Sequence, residues 1–243
     1  MKDKKNLLFI AGTGRSGTHL IGRTISSHQE ISGRIEIEST FRLITRIATT
    51  QDYKPSWQIF ILKSILRRRL KNILKNSKIH ILEKSHTSLW LVDFFIKEFN
   101  SKFIFVLRDV EPTVSSMLEH KGVLSWFDKL PLNKPNRFLG IDEHNATFFK
   151  EYSIEEKCSL RWKSHYETIL RLNKKYPNNT FTIKYDDFMV DPAPIMKKLS
   201  LFIGVTNTFE FEKFKTDSLD KWKKKLTEEQ LNRIREITLA NKS

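Results

Sequence analysis

Gly12-Thr13-Gly14-Arg15-Ser16-Gly17-Thr18-His19 follows directly on the apolar run Leu7-Leu8-Phe9-Ile10-Ala11, and a helical pattern over Gly17–Ser27 follows it. A strand, a glycine loop and a helix N-terminus in that order make an anion site. Backbone N–H groups point at the ligand, and the helix dipole favours negative charge. Gly12 and Gly17 have the spacing of the nucleoside-triphosphate loop, but Thr18 and His19 stand where that loop carries its lysine and its metal-binding hydroxyl. A triphosphate would lose its main charge partner and its metal ligand here. What remains is Arg15, Ser16, Thr18 and backbone amides, which suit one 5′-phosphate carrying a reactive group.

A second signal lies further along. Phe103–Leu107 reads as a strand that ends at Arg108-Asp109, and Ser116 follows eight residues after Arg108 on a helical pattern. A guanidinium and a hydroxyl together can grip a second phosphate. With the glycine loop, the pattern describes one nucleotide with phosphates at two separate positions.

The rest of the chain alternates in the same way. Strand-like runs at Leu7–Ala11, Ile79–Leu82, Phe103–Leu107 and Thr180–Lys184 are each followed by polar residues and a helical pattern. Trp57–Asn76, Leu89–Phe99 with Ser88 as its N-cap, Pro112–Met117, Glu155–Tyr176, Ala193–Ile203 and Glu228–Leu239 read as helices. This order predicts an α/β fold of three layers, with a central, mostly parallel sheet flanked by helices. Ligands bind such sheets at the carboxyl ends of the strands, so Arg15, Lys84, His86, Arg108 and Tyr185 are expected to be neighbours. Periodicity fails over residues 122–153, which are expected to form a loop or lid over the acceptor site.

The 243 residues suit one large domain spanning 1–243. Lys and Arg total 43 against 28 Asp and Glu, a formal charge of +15. That favours polyanionic partners, or is simply a solvated basic surface. No stretch is apolar for the ~20 residues of a membrane span. The basic start Met1-Lys2-Asp3-Lys4-Lys5-Asn6 lacks a long apolar segment behind it, so a cytoplasmic location is expected. The single Cys158 excludes an internal disulfide, and no clustered metal ligands are evident.

These motifs resemble the sulfotransferases that use 3′-phosphoadenosine 5′-phosphosulfate (PAPS). Their 5′-phosphate loop, [PG]-[KR]-S-G-T, is matched by Gly14-Arg15-Ser16-Gly17-Thr18. Their 3′-phosphate motif, L-R-D followed by a serine, is matched by Leu107-Arg108-Asp109 and Ser116. Within the family the pattern is most similar to tyrosylprotein sulfotransferases and related bacterial enzymes. His28-Gln29-Glu30 resembles their His-Pro-Glu stretch, with Gln29 in place of proline, and Glu36 falls 21 residues after Arg15, where their catalytic glutamate stands. Cys158 and Trp162 resemble their C-x-x-x-W helix, and Tyr185-Asp186-Asp187-Phe188 and Leu219-Asp220-Lys221-Trp222 resemble later family elements. Lys84-Ser85-His86 instead resembles the Lys-Thr-His of cytosolic small-molecule enzymes.

The resemblance implies PAPS as donor, no metal, and a hydroxyl acceptor: carbohydrate, peptide tyrosine, lipid or small metabolite. Nucleic acid is not an expected partner. It implies a nucleotide site of Gly14, Arg15, Ser16, Gly17, Thr18, His19, Arg108, Ser116 and Tyr185, and a catalytic set of Arg15, Lys84, Glu36 and His86. Glu36 and His86 both qualify as the base. Two other readings compete: a P-loop nucleotide kinase or NTPase, and a non-enzymatic basic protein that binds nucleic acid or glycan.

Overall fold

The computed structural model describes residues 6–77, 79–206, 209, 214 and 219–239; the basic residues Met1–Lys5 lie outside them. Five parallel strands form one sheet in the order β2-β3-β1-β4-β5. They are β1 (Leu7–Gly12), β2 (Ile31–Ile35), β3 (His80–Lys84), β4 (Lys102–Leu107) and β5 (Thr180–Lys184). The helices are α1 (Thr18–Ser26), α2 (Glu38–Thr50), α3 (Ser56–Asn76), α4 (Val92–Phe99), α5 (Val110–Leu118), α6 (Lys121–Lys129), α7 (Ile154–Lys175), α8 (Tyr185–Val190), α9 (Pro192–Ile203) and α10 (Glu228–Leu239).

The alternation of side chains across the sheet divides the core. Leu7, Phe9, Phe103 and Phe105 face one side and pack with residues of α2, α3, α4 and α7. Leu8, Ile10, Ile104 and Val106 face the other, over α1 and α9. Central β1 is buried along its whole length, as expected of a parallel strand covered on both faces. From β1 the chain runs through α1 toward β2, whereas from β4 it runs toward β5. The direction of winding therefore reverses between β1 and β4, which opens a crevice at their carboxyl ends. The glycine loop and Arg108 flank that crevice.

Two elements were not read from the sequence and one expectation is corrected. Strand β2 was not expected, because Ile31-Ser32-Gly33-Arg34-Ile35 lacks an apolar run. It is an edge strand, and Gly33 is there because α1 crosses it closely: a Cβ at Gly33 would lie 1.9 Å from Ser26 Oγ. Helix α2 was likewise missed. Ser88 does not cap a helix; it lies inside a 3-10 turn, His86–Leu91, and its hydroxyl donates to the Ser85 carbonyl at 2.7 Å. Residues 122–153, expected as a loop or lid, run largely through turns after α6. They include most of α6, and Phe138, Leu139, Ile141 and Phe149 are buried in a third apolar cluster with α5, α7 and α10. That stretch is a packed wall on one side of the site.

Candidate active site

The loop after β1 turns tightly. The Ser16 N–H donates to the Thr13 carbonyl at 3.1 Å, and the Ser16 hydroxyl donates to the same oxygen at 2.6 Å. Ser16 is buried, and its hydroxyl shapes the loop. Gly17 caps α1 with φ +91°, in the left-handed region where glycine is favoured, and Tyr185 packs directly on it. Gly17 and Thr18 begin the helix that aims its first N–H groups at the crevice.

Two groups of side chains meet across this loop. On the β4 side, Arg15 Nε donates to Ser116 Oγ at 3.1 Å. Arg108 reaches the Arg15 carbonyl at 3.5 Å and stacks 4.7 Å over the Tyr185 ring. These residues, with Lys221 and Trp222, line a cavity of about 300 Å³. The expected pairing of Arg108 with Ser116 around one space is therefore present, and Lys221 and Trp222 join it from a distant part of the chain. Trp162 supports this side: its Nε1–H donates to the Arg108 carbonyl at 3.0 Å and holds the backbone there.

On the β3 side, Glu36 collects three donors. Lys84 Nζ lies 2.5 Å from Glu36 Oε1, His19 Nε2 3.4 Å and His86 Nδ1 3.7 Å. Glu36 has φ +51° and its N–H donates to the Lys84 carbonyl at 3.2 Å. A non-glycine residue rarely adopts that conformation, and it marks a position held by its surroundings. Burial pushes the Glu36 carboxyl up, but His19, His86 and Lys84 outweigh it and hold the group well below the usual carboxylate range. Burial pulls His86 down to about 4 despite the carboxylate beside it, so both groups are in their proton-accepting forms near neutrality. Glu38, two residues on, is on α2 and pairs with Arg42.

His19 was expected on the nucleotide; its ring leans instead toward Glu36. Glu83, next to Lys84 but on the other face of the strand, is fully buried and meets Arg34 at 3.4 Å. Burial pushes its carboxyl up to about 8. Sequence reasoning also missed Arg161, a wholly buried side chain on α7 whose guanidinium stacks 4.3 Å from the Phe138 ring centroid. Its one sequence signal was its place beside Trp162. No described helix is long and apolar enough to cross a membrane.

The chain is similar in structure to three sulfotransferases. The sulfotransferase domain from the curacin biosynthetic pathway superposes with a TM-score of 0.60 at 13% identity, covering 95% of this chain and 96% of that one. A sulfotransferase from Alicyclobacillus acidocaldarius gives 0.53 at 14% identity, covering 97% and 96%. Mouse sulfotransferase SULT7A1 complexed with PAP gives 0.51 at 14% identity, covering 97% and 85%. At these identities the likeness establishes the fold. No curated protein matches the chain in sequence. The sulfotransferase domain profile matches residues 5–221, which is most of the chain, and this protein belongs to the sulfotransferase domain family.

Proposed function

We propose that the whole chain acts as one domain that moves the sulfuryl group of PAPS to a hydroxyl acceptor and releases adenosine 3′,5′-bisphosphate. The observation that carries this reading is the placement of two cation groups on either side of one glycine loop. Arg108 and Ser116 are on one side, and Lys84 with its Glu36–His86 partners is on the other.

In this reading the 3′-phosphate sits in the cavity at Arg108 and Ser116, with Tyr185 beneath it. The 5′-phosphate rests on the amides of Gly14 to Thr18 and on Arg15, which leaves Ser116 to follow it. The transfer is an in-line displacement at sulfur. The acceptor oxygen forms its bond to sulfur while the bond from sulfur to the 5′-phosphate oxygen breaks. Positioning and fixed charge supply most of the rate, as in phosphoryl transfer. Lys84 and Arg15 stabilise negative charge on the transferring group and on the leaving phosphate. The acceptor proton passes to the Glu36–His86 pair. Nδ1 of His86 faces the carboxylate, so Nε2 is free to take the proton while Glu36 stabilises the imidazolium, the logic of any carboxylate–imidazole base. Thr18 in place of the loop lysine and His19 in place of the metal-binding hydroxyl argue against a triphosphate donor.

The test is transfer itself. The protein is incubated with PAPS and a pool of hydroxyl compounds, with chelator present, and release of adenosine 3′,5′-bisphosphate is followed beside the mass shift of a sulfated product. Acceptor-dependent release supports the reading. Phosphorylation of the pool from Mg·ATP, with no release from PAPS, overturns it in favour of a kinase.

A further inference from the structure

Arg161 is the most unusual charge in the molecule. Its side chain is fully buried, and none of its three guanidinium nitrogens, Nε, Nη1 and Nη2, has a hydrogen-bond partner among the described residues. Buried polar groups are almost always paired, and an unpaired, desolvated cation is among the costliest. The face of Phe138 offsets part of that cost. Among the described residues Arg161 makes no ion pair with a carboxylate, and burial lowers its affinity for its proton.

Its position gives the arrangement a purpose. Nη2 lies 3.7 Å from the point where a Cβ on Gly14 would stand, and the Cδ2 of His86 lies 4.0 Å from the same point. The guanidinium therefore abuts the donor loop at Gly14, where His86 approaches the same point. Without a nucleotide, Lys84 pairs with Glu36 and Arg15 with Ser116, whereas Arg161 has no such partner among the described residues.

We propose that Arg161 is a further catalytic residue, whose guanidinium pairs with the oxygens of the transferring sulfuryl group once PAPS is seated on the loop. This rests on the PAPS reading above and extends it to a residue on α7. A sulfuryl group is a tetrahedral oxyanion that accepts the parallel N–H donors of a guanidinium. An arginine held without a counter-ion keeps its full charge for that group, and the water-excluded setting makes the pairing strong. The cost of the unpaired cation in the free protein is then relieved by the donor and not by the bisphosphate product, which helps the product leave.

The experiment compares binding of PAPS and of adenosine 3′,5′-bisphosphate to the wild type, Arg161→Met and Arg161→Lys, with acceptor omitted. The slow loss of PAPS to water is followed in parallel. Arg161→Met keeps the apolar stem of the side chain and removes the guanidinium. It is expected to weaken PAPS about tenfold or more, the worth of a charged hydrogen bond, with the bisphosphate changed less than twofold. Loss to water should fall, and Arg161→Lys should restore part of both. Equal effects on the two nucleotides, or no effect on either, would overturn the assignment and leave Arg161 a packing residue. If Arg161→Met does not fold, the lysine variant decides by the same ratio, because its single ammonium cannot reproduce a paired contact. A wild type that binds neither nucleotide removes the PAPS reading itself, whereas one that binds the bisphosphate while the ratio stays fixed removes only the role of Arg161.

Discussion

Lys84 Nζ stands 2.5 Å from Glu36 Oε1, and His86 Nδ1 meets the same oxygen at 3.7 Å. One carboxylate oxygen thus joins the end of β3, the turn that follows it and the left-handed residue that follows β2. The two base candidates left open by the sequence lie beside each other. They form one titrating unit, in which removal of either partner leaves the other mispaired.

That contact predicts non-additive kinetics. Glu36→Gln and His86→Asn should each lower turnover by about 10²–10⁴-fold, the usual worth of a general base, with bisphosphate affinity little changed. The double variant should be barely slower than the worse single one. The measurement is loss of PAPS, to water or to any acceptor found. Effects that multiply in the double variant would mean that the two groups act independently.

Arg108 should discriminate between nucleotides. Arg108→Ala is expected to weaken adenosine 3′,5′-bisphosphate by about 10–100-fold, one or two charged hydrogen bonds, and to leave 5′-AMP nearly unchanged. Calorimetric titration of both ligands checks this. Parallel losses would mean that Arg108 supports the loop through the Arg15 carbonyl and does not hold a second phosphate.

Gly17 should tolerate no side chain. With φ +91° and the Tyr185 ring 2.1 Å from where a Cβ would lie, Gly17→Ala combines backbone strain with a clash. A loss of about 1–3 kcal/mol is expected from the backbone alone, read by urea unfolding, together with weakened nucleotide binding. An alanine variant as stable as the wild type would contradict the loop conformation.

The pH dependence of stability should carry the mark of Glu83. Its carboxyl titrates at about 8 when folded, against 4.5 for the free group, so the folded state holds a proton that the unfolded state has lost. Stability from this group is complete below 4.5 and falls as pH rises through about 8. Glu83→Gln keeps the neutral shape. It should match the wild type near about pH 5 and melt at a higher temperature near about pH 9, in scans across that range. A lower melting temperature at the alkaline end would show that the ion pair with Arg34 outweighs the burial.

Much of the site was legible because its residues follow strands directly. Gly12 to His19 after β1, Lys84 and His86 at β3, Arg108 after β4 and Tyr185 after β5 converge by topology alone. Glu36 was picked out only by the family resemblance, at the place 21 residues after Arg15, and neither β2 nor α2 around it was read. Edge strand β2 carries Ser32, Gly33 and Arg34, and its pattern reflects the close passage of α1 more than burial. The packing of residues 122–153 was not legible because their apolar residues, such as Phe138 and Phe149, follow no fixed period. They are recruited by α5, α7 and α10, which lie far away in sequence. Arg161 was invisible for a different reason. Nothing local distinguishes a buried arginine from a surface one within Leu160-Arg161-Trp162-Lys163, and only the fold turns it toward Gly14.

In the PAPS reading the glycine loop and the Arg108–Ser116 cavity together serve one nucleotide with two separate phosphates. Titration of the wild type with adenosine 3′,5′-bisphosphate, 5′-AMP and Mg·ATP tests it most directly. Binding of the bisphosphate at least about tenfold tighter than either control, the worth of one further charged contact, is the predicted result. Equal binding of bisphosphate and 5′-AMP, or tighter binding of Mg·ATP, would contradict it.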